Sequence, residues 1–150
     1  MTSQPLYLDD IQPGHAFVTD SITVTADDIR AFARQFDPQP FHLDEEAAAD
    51  SLFGGLAASG WHTAALTMRL LVDGFPLAKG VIGAGGELAW PRPTRPGDTL
   101  TVHGEVVEVT PSRSRPDRGM ITVRNETRNQ HGEPVQIFTV RIVAWRRPAV

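Results

Sequence analysis

Cysteine is absent from the 150 residues of this chain. A disulfide framework, a thiolate metal site and a cysteine nucleophile are therefore excluded. Blocks rich in lysine or arginine are also missing and the net charge is −4. This argues against nucleic acid as the main partner, because neutralising phosphates requires a concentrated basic face. The one basic cluster, Arg113 with Arg115 and Arg118, suits a small phosphorylated ligand or no ligand.

Long apolar runs are missing too. No run approaches the roughly 20 residues that span a bilayer, and the N-terminal region has no apolar segment behind a basic start. We therefore expect a soluble cytoplasmic protein that inserts in no membrane. Its length fits one domain, 1–150, because domains most often hold about 100–150 residues.

The first part of the chain predicts a strand followed by a helix. Residues 15–24 are rich in Phe, Val, Ile and Thr, as strands are. The period then changes, because Thr25 and Asp28 resemble a capping box and apolar residues follow at helical spacing. The predicted apolar stripe consists of Ile29, Phe32, Ala33 and Phe36.

Two further helices are predicted before the sheet. Asp44 is a good N-cap for a short helix over 45–50, which the Gly-Gly pair after Phe53 ends. A longer helix over 60–73 is apolar around most of its circumference, so we expect it to be buried. Its main apolar stripe consists of Trp61, Ala64, Ala65, Met68, Leu71 and Val72.

Strand patterns dominate the rest of the chain. A glycine-rich extended segment over 80–90 precedes strands over 99–109 and 120–128 and a last strand, one face of which holds Phe138, Val140, Ile142 and Ala144. The sum is an α+β fold with an antiparallel sheet of about five strands around one buried helix. The edge strands and second face of the sheet still need cover, so we expect self-association.

The segment 37–44 places a carboxylate before, and an imidazole after, two closely spaced prolines. Pro38 and Pro40 fix their own φ angles and push the preceding residues out of the α region, so the first helix must end here in an extended path. This path would aim Asp37 and His42 by covalent constraint. The alternative is that the prolines simply end a helix and that both residues are solvated loop residues.

Asp37 and His42 are suited to proton transfer. Their unperturbed pKa values of about 3.9 and 6.5 let them divide the roles of base and acid near neutral pH. A serine triad is disfavoured, because Ser59 is the nearby serine and no Gly-x-Ser-x-Gly elbow occurs. A metal site of Asp37, His42 and Asp44 is also disfavoured, because a capping role for Asp44 leaves too few ligands.

Gly60 opens the long helix and offers a third functional group. The N–H of a first-turn residue has no intrahelical partner, and the helix dipole favours negative charge there. A glycine also lets a ligand carbonyl approach the backbone closely. The alternative is a plain helix start.

Three segments, taken in order, resemble one known family, the MaoC-like (R)-specific enoyl-CoA hydratases and dehydratases. Residues 37–44 (DPQPFHLD) are similar to its motif Asp-x-Asn-Pro-x-His-x-Asp, and residues 53–60 (FGGLAASG) to its Phe-Gly-x-x-Ile-Ala-His-Gly segment. Residues 88–100 resemble its strand and Pro-Gly-Asp turn. The resemblance spans most of the chain and implies the hot-dog fold, in which the sheet wraps around the central helix.

The resemblance also implies the chemistry. Asp37 and His42 would hold and activate a water molecule, and the Gly60 N–H would polarise the oxygen of a thioester of coenzyme A or acyl carrier protein. No metal or redox cofactor is implied, and the implied assembly is a homodimer or larger homo-oligomer. Arg92, Arg95 and the loop 113–118 are candidates for the coenzyme's phosphates. The expected substrate-binding residues are Phe41, Phe53, Ser59 and Trp61, although aromatic residues near a core helix are more often core.

The sequence departs from the family pattern at three positions. Gln39 replaces an Asn, Ser59 replaces a His, and Met68 stands where some members have a serine that supports the catalytic Asp. Whether Thr67 or a backbone group orients Asp37 is therefore open. Two rival functions are a hot-dog acyl-CoA thioesterase and a non-catalytic protein that binds acyl thioesters.

Overall fold

The structure is a computed structural model that describes residues 4–149. A short 3-10 turn over Leu8–Asp10 precedes the first strand. The strands and helices are β1 Ala16–Thr23, α1 Ala26–Phe36, α2 Pro40–Leu43, α3 Glu45–Ala49, α4 Gly60–Gly74, β2 Ile82–Ala89, β3 Thr99–Pro111, β4 Arg118–Arg128 and β5 Pro134–Trp145.

The five strands form one antiparallel sheet in the order β1-β3-β4-β5-β2. Helix α4 packs against this sheet, with its closest contacts to β1 and β3. The predicted α+β arrangement of an antiparallel sheet and a central helix is confirmed. Among residues 4–149, no helix is long and apolar enough to span a membrane.

The buried core lies against the sheet beneath α4, α1 and the segments around Leu8 and Phe75. The predicted inward face of β3, Leu100, Val102 and Val106, is at most 1% exposed. Val140 and Ile142 of β5 are buried as predicted. Alternate strand residues therefore supply the core, as the period of two requires.

Helix α1 begins with the predicted capping box. The Thr25 hydroxyl accepts the Asp28 N–H at 3.1 Å, and the Asp28 carboxylate accepts the Thr25 N–H at 3.2 Å. Ile29 is fully buried, but Phe36, predicted on the same stripe, is 64% exposed. Phe36 lies at the last residue of the helix, packs on Phe32 of the same helix, and the chain turns away at the prolines that follow.

The orientation of α4 differs from the prediction. Trp61, Met68 and Val72 of the predicted buried stripe are 60%, 40% and 49% exposed, whereas Thr63 and Thr67 on another face are 2% and 1% exposed. The reason is that the threonine hydroxyls have hydrogen-bond partners beneath the helix. The apolar stripe is consequently left on the outer side of the single chain, apart from the buried Leu71.

Candidate active site

The chain leaves α1 in an extended path and then makes one more helical turn. Asp37 and Gln39 have non-helical backbone angles, as predicted from the prolines. The first helix ends before the prolines, as predicted, but Pro40–Leu43, where no helix was predicted, form α2. Proline is compatible with the first position of a helix, because the N–H it lacks has no partner there.

His42 is placed on this turn and is 4% exposed. Its Nδ1 lies 2.6 Å from the carbonyl oxygen of Ala57, and its Nε2 lies 3.3 Å from Oδ2 of Asp37. A carbonyl oxygen can only accept, so Nδ1 carries a hydrogen and Nε2 is the nitrogen directed toward Asp37. The imidazole is therefore fixed in one orientation.

Two side chains besides His42 stabilise the Asp37 carboxylate. The Gln39 amide donates to Oδ1 at 2.5 Å, and the Ser59 hydroxyl lies near the same carboxylate. Burial raises the pKa of Asp37, but the Ser59 hydroxyl, the hydrogen bond from Gln39 and the charge of His42 outweigh it and hold this pKa below its usual value. Asp37 is thus a carboxylate at neutral pH.

Gln39 and Ser59 also indicate which residues orient Asp37, the question left open by the departures from the family pattern. Thr67 does not orient Asp37, because its hydroxyl bonds to Thr127 at 2.6 Å. Gln39 donates to Asp37, and the Ser59 hydroxyl lowers its pKa, from the positions where the family has Asn and His.

Gly60 begins α4 directly after Ser59. The Ser59 side chain accepts the Trp61 N–H at 3.3 Å, and the Ser59 carbonyl accepts those of the next two residues. The Gly60 N–H donates no hydrogen bond to any residue in the described part of the chain. A Cβ at Gly60 would lie 2.5–2.7 Å from the ring of Trp90, so this position requires a glycine.

Beside His42 and Gly60 lies a cavity of about 300 Å³, and Asp37 contacts His42 but is not among the residues that line the cavity. His42 and Gly60 line it, as do two predicted substrate-binding residues, Phe41 and Phe53. The other two, Ser59 and Trp61, do not line the cavity. Ser59 is fully buried. Trp61 is 60% exposed, and its ring packs edge-to-face with that of Trp90, with the ring centroids 5.2 Å apart. The other lining residues are Gln39, Ala58, Thr63, Trp90, Pro91, Arg92, Pro93, Thr94 and Val135.

Sequence reasoning assigned no role to Trp90 or Thr63. Trp90 lies within the segment 88–100 that carried the resemblance, and its Nε1 donates to Gln136 at 2.9 Å. Thr63 is three residues after Gly60, a helical spacing that indicates a shared side of α4. Gln136 lies in a strand and gave no signal, because its burial depends on partners from distant elements.

The arginines that were candidates for phosphate contacts differ in their surroundings. The Arg95 guanidinium donates to the carbonyl oxygens of Phe53, Gly55 and Leu56, so it holds the loop that carries Phe53. Arg92 lines the cavity, is half exposed and pairs with Glu133 at 3.2 Å. The loop 113–118 joins β3 to β4 at the opposite end of the sheet from the residues after β2.

Asp44 has the predicted capping role. Its carboxylate accepts the N–H groups of Glu46 and Ala47, both at 3.3 Å. Within residues 4–149, no group of three His, Cys, Asp or Glu side chains comes together in a way that could hold a metal ion.

Comparisons with known proteins indicate the family to which the chain belongs. The family described as MaoC like domain matches residues 10–129. The uncharacterized protein YdeM of Bacillus subtilis is 37% identical over 134 residues, which are 87% of this chain and 92% of that protein. The 3-hydroxybutyryl-CoA dehydratase of Methylorubrum extorquens is 32% identical over 111 residues, or 73% of this chain and 69% of that enzyme.

Solved structures are similar over nearly the whole chain. The crystal structure of the MaoC-like dehydratase from Rhodospirillum rubrum has a TM-score of 0.94 at 61% identity and covers 96% of this chain and 99% of its own. The R-hydratase PhaJ1 from Pseudomonas aeruginosa has a TM-score of 0.75 at 27% identity, over 95% of this chain and 88% of that one. The predicted hot-dog fold is confirmed.

Proposed function

Because this chain belongs to the family of MaoC-like domains, we propose that it is a hydro-lyase that reversibly adds water to a 2-enoyl thioester. The observation that carries the proposal is the Asp37–His42 pair, 3.3 Å apart, with His42 lining the same cavity as Gly60, whose N–H donates to no group among residues 4–149. The relatives named as a dehydratase and as an R-hydratase support the same reaction class.

Proton transfer is assigned to Asp37 and His42. A water molecule that contacts both side chains loses a proton to this pair as its oxygen forms a bond to C3 of the substrate. The C2=C3 π bond breaks, and its electron pair moves through C2 to the thioester oxygen. The pair then returns the proton to C2, so the atoms of water are added across the double bond and the enzyme is regenerated.

The backbone of α4 is assigned to the developing negative charge. The Gly60 N–H donates to the thioester oxygen as it becomes an enolate oxygen, and the positive end of the helix dipole adds to this stabilisation. The donor is fixed in advance by the cap at Ser59, so it needs no rearrangement during the reaction.

The thioester is carried by coenzyme A or by acyl carrier protein, and the reaction as proposed uses no metal or redox cofactor. Phe41 and Phe53 contact the acyl group, because both line the cavity beside His42. Arg92 at the cavity is the candidate for a phosphate of the carrier.

We also propose that two copies of the chain form a dimer. Strand β2 is exposed along nearly its whole length and, in the described residues, pairs with β5 on one side only. The outer face of α4 exposes Trp61, Met68 and Val72. If β2 pairs with β2 of the second copy, the backbone groups on its outer edge gain hydrogen-bond partners. The apolar outer face of α4 in one copy is then covered by that of the other.

The test is the fate of crotonyl-CoA with the purified protein. Hydration removes the enoyl absorbance while the thioester stays intact, so we expect absorbance loss without release of free thiol. Release of coenzyme A from crotonyl-CoA and saturated acyl-CoA would instead identify a thioesterase. Binding without either change would identify a non-catalytic acyl-thioester binding protein.

A further inference from the structure

Hydrogen-bonded polar side chains form the inner wall of the cavity. Thr63 of α4 and Thr94 are each 2% exposed, and their hydroxyls bond to each other at 2.9 Å. Val135, fully buried, lines the same cavity beside them. The cavity therefore meets a wall of small, closely held side chains at its inner end.

A second polar layer lies behind this wall, between α4 and the sheet. The Gln136 amide nitrogen donates to the Thr67 hydroxyl at 3.1 Å, and Thr67 bonds to Thr127 at 2.6 Å. The Gln136 amide oxygen accepts the Trp90 Nε1–H at 2.9 Å. Gln136, Thr67 and Thr127 are at most 1% exposed.

This layer cannot give way easily to a ligand. Thr67 follows Thr63 by one helical turn, and Gln136 follows Val135 in β5, so the two layers are continuous. An apolar side chain could rotate aside, but separating these groups would leave buried donors and acceptors without partners. A long acyl chain would also place methylene groups against polar atoms.

The rise of α4 from Gly60 to Thr63 gives the length of an acyl group that would run along this helix toward the wall. Thr63 lies three residues after Gly60, about 4.5 Å further along the helix axis. An extended chain advances about 1.2 Å per bond, so an acyl group held by its carbonyl reaches the level of Thr63 after about four bonds.

We infer that the site selects short 2-enoyl groups, of about four to six carbons, because Thr63, Thr94 and Val135 close the cavity against the Gln136–Thr67–Thr127 layer. This inference rests on the proposed hydratase function and names the substrate class within it. Thr63 and Val135 are the residues that set the limit.

A chain-length series on the unmodified protein tests the limit. Hydration rates are measured for enoyl-CoA substrates of four, six, eight and ten carbons, and equilibrium binding is measured for the saturated acyl-CoA of each length. We expect kcat/KM and affinity to be highest for the two shorter groups and to fall by at least about tenfold at ten carbons. An open apolar pocket would instead gain about fourfold in affinity per methylene buried, and such a rise would overturn the inference.

Enlarged cavities test the residues. Thr63→Ala and Val135→Ala should each raise kcat/KM for eight and ten carbons relative to four carbons. Thr110→Ala is the matched control, since Thr110 is an exposed threonine of β3, and it should leave the profile unchanged. Unchanged profiles in both folded cavity variants would overturn the assignment, and if neither variant folds, the series on the unmodified protein still decides.

The two measurements separate this inference from the proposed function. Tighter binding of short saturated acyl-CoA with no hydration of any enoyl-CoA would support the limit and overturn the hydratase. Hydration that is equally efficient at all four lengths would support the hydratase and overturn the limit.

Discussion

The segment 37–44 and helix α4 form two walls of one cavity but contribute different kinds of group. The segment supplies reactive side chains, Asp37 and His42, on a backbone held by prolines. Helix α4 supplies a backbone N–H at Gly60 and buried hydroxyls along one face, and it leaves an apolar face outside. Local covalent constraint therefore places the proton-transfer groups, whereas tertiary packing shapes the pocket around them.

The largest effect should come from the reactive wall. Asp37→Asn and His42→Ala should each lower turnover of crotonyl-CoA by about 10²–10⁴-fold, the usual worth of general acid-base catalysis. Initial rates of absorbance loss measure this directly. Asp50→Asn and His131→Ala make the same changes at exposed positions and should behave as the unmodified protein. Unaltered rates in both site variants would show that segment 37–44 does not supply the reactive side chains.

A smaller loss is expected when the α4 wall is changed at Gly60. Gly60→Ala keeps the N–H but places a methyl group in the space of the Trp90 ring. Displacing this ring should lower turnover by up to about 10²-fold, as small misplacements at a site do. Trp90→Ala in the Gly60→Ala background removes the clash and should restore part of the rate. A single variant as active as the original would show that the close approach of Trp90 is unimportant.

Ser59 connects the two walls, and its removal should change the pH profile more than the maximal rate. The reaction needs Asp37 as a carboxylate, and the Ser59 hydroxyl lowers the pKa of that group. Ser59→Ala should therefore raise the pKa of Asp37, so that kcat/KM falls off at a higher pH on the acid side. Ser59→Thr keeps the hydroxyl and should restore the original acid limb. If the acid side of the kcat/KM profile does not move in Ser59→Ala, Ser59 does not control the pKa of Asp37.

The smallest effect on the chain itself is expected at the outer face of α4. Val72→Asp should shift the protein from dimer to monomer in sedimentation or light scattering, because it places a charge in the proposed apolar interface. The free energy of unfolding of the monomer should change by only about 0.5 kcal/mol, as at other surface positions. Val107→Asp on β3 is the matched control, since Val72 and Val107 are 49% and 47% exposed. A dimer that survives the change at Val72 but not at Val107 would place the interface elsewhere.

The two walls also differ in how well the sequence predicts them. The caps at Thr25 and Asp44 and the extended path at Asp37 depend on neighbouring residues, so the pattern predicted them correctly. Proline at the first position of a helix is equally compatible with a loop, which is why α2 was missed. These features are local, and most of them can be predicted from one sequence.

The orientation of α4 could not be predicted in the same way. Periodicity identified the apolar stripe containing Met68, but it cannot tell whether a stripe meets its own sheet or another copy. Burial of Thr63 and Thr67 depends on Thr94, Thr127 and Gln136, which come from other parts of the chain. Ser59 likewise comes near Asp37 only after α4 packs beside α1.

A crystal structure of the Asp37→Asn protein with crotonyl-CoA would test the central claim most directly. The substitution should slow the reaction enough for the thioester to be seen intact. We predict that the thioester oxygen lies about 2.7–3.1 Å from the Gly60 nitrogen, with C3 facing residue 37 and Nε2 of His42. A thioester oxygen bound elsewhere, with the Gly60 N–H left without a partner, would contradict the three-part site.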